Sequence, residues 1–118
     1  MTRIIAGEWR GHPLPKLKTG SVRPTTDRAR TVLFDTLRDV RDMKVLDLYS
    51  GTGALGFEAL SRGAASLTSI DRDSKYIQAQ KLWIKTRDKQ FKAYVGDVES
   101  VLKRLDQKFD LILADPPY

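Results

Sequence analysis

The sequence predicts an α/β domain with a parallel sheet, and three observations predict it. Short apolar runs alternate with amphipathic stretches from about residue 45 onward, a glycine-rich turn follows the first run, and acids stand where later runs end. With 118 residues, 41% of them hydrophobic, the chain supports one core and reads as a single domain over 1–118. Within it, residues 1–23 read as a basic hairpin-and-loop extension and residues 24–118 as the α/β core.

The elements follow in order. Arg3 to Ala6 and Glu8 to Arg10 are short apolar pieces, followed by a stretch punctuated by Gly11, Pro13, Pro15 and Gly20, which predicts a small hairpin and a loop. Pro24 to Asp27 opens a helix with Thr25 or Thr26 as its cap, and Ala29, Leu33, Leu37 and Val40 carry it to about Val40. Val45 to Leu48 is the first strand, Gly53 to Arg62 a helix stopped by Gly63, and Ser66 to Ile70 the second strand. Asp73 or Ser74 caps a helix reaching about Lys89, and Lys92 to Val95 makes the third strand. Val98, Val101, Leu102 and Leu105 space as a one-faced helix before the fourth strand, Phe109 to Ala114. Strictly alternating strands and helices predict right-handed crossovers between parallel strands. Trp9 and Trp83 are expected in the core or partly buried.

Composition excludes several chemistries. The chain has no cysteine, which removes disulfides, thiolate nucleophiles and cysteine-ligated metals. His12 is the single histidine and lacks partners for a triad or metal site, so no metal is expected. No run of about 18 apolar residues and no long apolar N-terminal core occurs, so a soluble cytoplasmic protein without a membrane partner is expected. The formal charge of +6 is concentrated: residues 1–30 hold seven basic residues against Glu8 and Asp27, 7 − 2 = +5. Clustered Arg and Lys suit a polyanion such as nucleic acid, and a solvated face is the plainer reading of the same charges.

Gly51, Gly53 and Gly56 form a G-x-G-x-x-G array directly after a strand and opening a helix, the context that the motif requires for a nucleotide ligand. Asp71 ends the next strand 71 − 51 = 20 residues on, the spacing at which an acid meets ribose hydroxyls. Asp73 lies beyond that strand and is better placed as a helix cap. Asp97, after the third strand, could accept from an adenine amino group or cap the next helix. NAD and S-adenosylmethionine both remain open at this point. Asp47, just before the loop, suits a cationic sulfonium or ammonium better than a pyrophosphate, unless it only orders the loop by accepting backbone N–H bonds.

The sharpest signal is Asp115-Pro116-Pro117-Tyr118 after the apolar run Leu111 to Ala114. An exocyclic amino group is a poor nucleophile because its lone pair is delocalised. The Asp115 carboxylate and the Pro116 carbonyl could accept its two N–H bonds and turn the lone pair toward an electrophile, with proline fixing the backbone in advance. Tyr118 offers a face on which a flipped base could stack. A sulfonium methyl is the electrophile that such a site can use without a metal or a covalent intermediate, through positioning.

Four blocks, Arg3-Ile-Ile-Ala-Gly-Glu-Trp-Arg-Gly11, Arg23-Pro-Thr-Thr-Asp-Arg-Ala-Arg30, the Asp47–Gly56 loop and the terminal Asp-Pro-Pro-Tyr, make the chain resemble the bacterial S-adenosylmethionine-dependent methyltransferases of guanine N2 in small-subunit ribosomal RNA. The resemblance implies a Rossmann-like class I S-adenosylmethionine-dependent methyltransferase fold, with strand order 3-2-1-4 here. It implies that the Asp47–Gly53 loop, including Tyr49, Gly51 and Gly53, holds the methionine and ribose end of the cofactor, Asp71 the ribose and Asp97 the adenine. Asp115, Pro116, Pro117 and Tyr118 would hold the target amino group. Arg3, Arg10, Arg23, Thr25 and Arg28 are the candidates for ribosomal RNA, or the small subunit, as partner, and Arg30 is either near RNA or on a solvated helix face. DNA adenine, protein glutamine, or a noncatalytic nucleotide- or RNA-binding role are the alternatives. Family members continue for several strands past Asp-Pro-Pro-Tyr. Four strands alone leave Leu111 to Leu113 on an open apolar edge, which predicts marginal stability, self-association through that edge, or membership of a longer protein.

Overall fold

A computed structural model describes residues 2–16 and 26–116. Its elements are α1 (Asp27–Leu37), β1 (Lys44–Leu48), α2 (Ala54–Ser61), β2 (Ser66–Asp71), α3 (Ser74–Ile84), β3 (Gln90–Val95), α4 (Val98–Arg104) and β4 (Leu111–Ala114). The four strands form one parallel sheet in the order β3-β2-β1-β4. This is the order that the family resemblance implied.

The pleat divides β1 between two cores. Val45 joins Leu67, Phe57, Leu60, Phe34 and Leu113 on one face. Leu46 joins Ile70, Val98 and Val101 of α4 on the other, with Tyr94 and Phe109 packed around them. Both faces are covered, which is why the first strand reads as a nearly continuous apolar run. All eight residues of α2 are buried. One side of the helix meets the sheet, and the N-terminal segment, through Ile4, Trp9 and Leu14, joins α1 in the same cluster. A helix that is apolar nearly all round is the sequence signature of such a middle layer.

Several boundaries differ from the sequence reading. The N-terminal hairpin pairs Thr2–Ile4 with His12–Leu14 through one antiparallel bridge, Arg3 to Pro13, and Glu8 to Arg10 lie in the turn between them. Helix α1 begins after its cap Thr26, whose hydroxyl accepts from the Ala29 N–H, and stops at Leu37 instead of Val40 because Arg38 turns to a φ of 65°. Its buried face is Arg30 and Phe34, not the Ala29–Leu33–Leu37–Val40 stripe alone; Ala29 is exposed. Helix α3 ends at Ile84, five residues short of Lys89, and Leu82 lies 73% exposed on its outer side. Strand β4 starts at Leu111, because Asp110 instead uses its N–H and its carboxylate to bond the Lys44 peptide at the start of β1.

Candidate cofactor and amino-group site

The strand order reverses direction between β1 and β4, and in an open parallel sheet the crevice at such a switch point, beyond the carboxyl ends of the strands, is where ligands bind. Here those ends carry the predicted residues. β1 leads into the turn Tyr49–Gly53, β2 ends in Asp71, and Asp115 follows β4. Leu48 is registered against Ala114, so Tyr49 and Asp115 are the next residues on neighbouring strands.

The turn is tight and left-handed at three points: Tyr49, Gly51 and Gly53 have φ of 56°, 55° and 89°. A non-glycine residue in that region costs about 1–3 kcal/mol and marks places where geometry is held for a purpose. The three glycines of the array differ in what requires them. A Cβ on Gly53 would lie 2.7 Å from the Phe57 ring, and one on Gly56 would lie 2.7 Å from Leu67 and 3.1 Å from the Asp47 carboxylate. Those two permit close helix–strand packing. A Cβ on Gly51 would meet nothing within 4 Å, so Gly51 borders open space, the cradle that a ligand could fill.

Asp71 binds both sides of this region: Oδ2 accepts from the Gly51 N–H at 2.8 Å and Oδ1 from the Asp73 N–H at 2.9 Å. The acid that the 20-residue spacing singled out is thus bonded to the first glycine of the array. Asp47 is 1% exposed, and its Oδ2 accepts from the Gly56 N–H at 3.2 Å. Burial pushes its carboxyl up to about 7; the Gly56 N–H opposes the rise, and the Asp71 and Asp115 carboxylates add to it. Three acids at the ends of β1, β2 and β4 therefore share one electrostatic neighbourhood. Asp73 caps α3 by accepting from the Lys75 N–H at 2.9 Å. Asp97 caps α4, with Oδ2 accepting from the N–H and hydroxyl of Ser100 at 3.3 Å, so the capping reading holds and Oδ1 is used by neither bond. Asp115 and Pro116 are exposed. Pro117, Tyr118, Arg23 and Thr25 lie outside the described residues.

Of the basic candidates, Arg3, Arg10, Lys16 and Arg28 are exposed. Arg3 also braces the hairpin, donating from Nη1 to the Gly11 carbonyl at 2.8 Å. Arg28 lines a groove of about 560 Å³ along α1 with Thr26, Ala29 and Val32. Arg30 is a correction to both sequence readings. It is fully buried, and its guanidinium donates to Glu58, Asp27 and the Arg3 carbonyl. Neither solvent nor an RNA reaches it; it joins the N-terminal hairpin and α1 to α2.

Sequence reasoning missed the residues that organise this region. Glu58 is 0% exposed and accepts four bonds, from Ile5 N–H (2.9 Å), Ala6 N–H (3.1 Å), Arg30 Nη1 (3.0 Å) and Arg62 Nε (2.9 Å). Ser61 accepts from the Trp9 N–H at 2.9 Å and donates to the Ala6 carbonyl at 2.7 Å. Trp9 and Trp83 meet edge to face at 5.4 Å, and the Trp83 indole N–H bonds the Pro13 carbonyl at 2.7 Å, so the basic hairpin is pinned to α2 and α3. Gln80, also missed, reaches from α3 to the glycine turn. The available signals were single polar residues at positions that helical spacing buries, such as the acid inside Ala54-Leu-Gly-Phe-Glu-Ala-Leu-Ser61.

Sheet order and switch-point crevice define a Rossmann-like domain, the fold shared by methyltransferases among its structural neighbours. Among solved structures, a hypothetical protein from Thermus thermophilus superposes with a TM-score of 0.84 at 28% identity, covering 100% of this chain and 70% of that one. A dimethyladenosine transferase from Plasmodium falciparum superposes with a TM-score of 0.65 at 25% identity, over 80% of this chain and 33% of that one. The chain belongs to the family described as conserved hypothetical protein 95, whose model matches residues 2–118. It is 40% identical over 119 residues to ribosomal RNA small subunit methyltransferase D of Escherichia coli K12, covering 98% of this chain and 60% of that protein. The chain thus spans about 60% of the length of that relative.

Proposed function

We propose that the chain forms the cofactor-binding and amino-group-presenting part of an S-adenosylmethionine-dependent methyltransferase that acts on guanine N2 in small-subunit ribosomal RNA. One observation carries the reading: β4 delivers Asp115 and Pro116 beside the glycine turn that follows β1. The name of the Escherichia coli relative supports ribosomal RNA as substrate. The exposed basic residues on the pinned hairpin and α1 support the same partner, in the cytoplasm, where ribosomal RNA is made in bacteria.

The residues suit an adenosyl ligand. Each Asp71 oxygen accepts one backbone bond, and a carboxylate has about four acceptor sites, so two remain for two ribose hydroxyls. Gly51 leaves room for the ligand to approach the protein backbone, and Tyr49 and Gly53 shape the turn around it. Asp97 keeps Oδ1 outside its capping bonds for an adenine amino group. Asp47 supplies a carboxylate that a cation would favour in its ionised form. When bound, S-adenosylmethionine supplies an electrophilic methyl on a sulfonium.

The chain's own part of the chemistry is to orient the nucleophile. Asp115 and the Pro116 carbonyl accept the two amino N–H bonds and aim the nitrogen lone pair, and a carboxylate oxygen of Asp115 takes the proton that the nitrogen sheds. Pro117 and Tyr118 complete the motif that the family resemblance assigns to the target base, with Tyr118 as its stacking partner. Arg3, Arg10, Arg23, Thr25 and Arg28 are the RNA-facing set. The test is to incubate the full-length protein with labelled S-adenosylmethionine and ribosomal RNA or small subunits from cells lacking it, then resolve the nucleosides. Label on N2-methylguanosine is expected. Label on adenine or protein would refute the guanine assignment, and cofactor binding without transfer would favour a noncatalytic binding module.

A further inference from the structure

We propose that Gln80 is a positioning residue for the cofactor: its carboxamide, reaching from α3, holds the glycine turn in the form that receives the adenosyl ligand. The inference rests on the methyltransferase reading above and adds a residue that no motif marks. Gln80 is 0% exposed, and its Nε2 donates to the Gly51 carbonyl at 2.6 Å and to the Ser50 hydroxyl at 2.9 Å. From the opposite side, Asp71 accepts the Gly51 N–H at 2.8 Å. Both polar groups of the one glycine of the array that borders open space are therefore held, one by β2 and one by α3.

Packing fixes the other two glycines, since Phe57 and Leu67 close around Gly53 and Gly56. At Gly51 nothing stands within 4 Å of the Cβ position, so hydrogen bonds hold its φ of 55°: these two side-chain contacts and the Gly53 N–H to Ser50 carbonyl bond that closes the turn. The same side chain supports the next glycine, because Gln80 Cγ lies 3.2 Å from where a Gly53 Cβ would be.

The carboxamide carries a cost. Among the described residues its Oε1 is buried with no hydrogen-bond partner, while its Nε2 spends both of its bonds on the turn. A residue that carries such a defect beside a binding loop is the pattern expected where local rules yield to function.

The discriminating observation is a split between stability and binding. Gln80→Met is expected to keep the melting temperature of the chain within a few degrees while raising the S-adenosylmethionine Kd about tenfold in calorimetry. Its cofactor KM should rise in parallel, with kcat at saturating cofactor nearly unchanged. Gln80→Leu, which offers no donor to the Gly51 carbonyl, is expected to weaken binding at least as much. It serves as the deciding variant should Gln80→Met not fold. Wild-type binding with both folded variants within twofold of it would overturn the proposal, as would weaker binding that merely tracks a fall in melting temperature. If the wild-type chain itself bound no S-adenosylmethionine, the functional reading would fail first and this inference with it.

Discussion

Replacing Glu58 by glutamine is expected to destabilise the chain more than any substitution on the exposed basic face. The two Glu58 oxygens divide their donors evenly: Oε1 takes Ile5 N–H and Arg30 Nη1, and Oε2 takes Ala6 N–H and Arg62 Nε. A carboxamide has one acceptor end, so in either orientation two of the four donors face an NH2 group. Arg30, fully buried, also loses its buried counter-charge and keeps Asp27, whose side chain is 67% exposed. Two lost charge-assisted bonds at about 1.5–3 kcal/mol each give about 3–6 kcal/mol. That is a large part of the roughly 5–15 kcal/mol that holds an ordinary domain folded. At about 4 °C per kcal/mol for a chain of this size, the melting temperature should fall by about 15 °C.

Urea denaturation followed by circular dichroism measures this as a lower midpoint at unchanged slope. A double-mutant cycle separates the ion pair from the backbone bonds. Glu58→Leu alone leaves Arg30 buried with only the exposed Asp27 as counter-charge, whereas Glu58→Leu with Arg30→Met removes both charges and should recover about 3 kcal/mol. The Ile5 and Ala6 N–H groups stay unmet in both, so recovery should be incomplete. A Glu58→Gln midpoint within about 1 kcal/mol of wild type, or an additive cycle, would refute the view that this hub docks the N-terminal segment.

The remaining expectations concern the site. Because burial raises the Asp47 carboxyl from its ordinary range to about 7, the stability linked to its protonated form is fully present below about pH 4 and is lost as pH rises through 7; Asp47→Asn should abolish that loss in pH-dependent melts. A bound sulfonium favours the ionised form, so wild-type cofactor affinity should increase from pH 6 to 8 in calorimetry, and the Asn variant should lack that increase. Gly56→Ala should lose about 1–3 kcal/mol of stability by crowding Leu67, while Gly51→Ala should lose less stability and more cofactor affinity, a contrast that paired melts and titrations would show. Reversing Arg10, Lys16 and Arg28 should weaken RNA binding and reduce its log–log salt slope by up to about 0.7 for each phosphate no longer neutralised, read by fluorescence anisotropy across salt concentrations; an unchanged slope would remove these residues from the RNA face. Asp115→Ala should abolish methyl transfer while leaving S-adenosylmethionine binding within about threefold.

Topology was legible because its cause is local and repeated: apolar runs of strand length, each followed by a turn and a helix, leave few ways to build a parallel sheet. Element ends were less legible because single backbone choices set them. The left-handed Arg38 ends α1, and Asp110 bonds the Lys44 peptide before β4 begins. Arg30 and Glu58 were hidden for a different reason. Each is an ordinary surface residue type, and the partner that makes burial tolerable lies 28 residues away in the chain, so no short window of sequence contains both.

Strand-end acids carry a related ambiguity. In this fold a carboxylate repeatedly ties down backbone N–H groups across a gap: Asp71 to Gly51, Asp47 to Gly56, Asp110 to Lys44 and Glu58 to Ile5 and Ala6. An acid at a strand end is therefore not evidence of a ligand by itself, since bracing the loop explains it equally well. What separates the cases is acceptor capacity and access. Glu58 spends both oxygens twice over and is sealed, so it is structural. Asp71 spends each oxygen once, is only partly buried and sits beside the open side of Gly51, which leaves it able to brace the turn and accept hydroxyls together. The bracing bond from Asp71 also explains why the 20-residue spacing matters. The acid must reach the first glycine's amide to shape the cradle, and that places it at the cradle's rim.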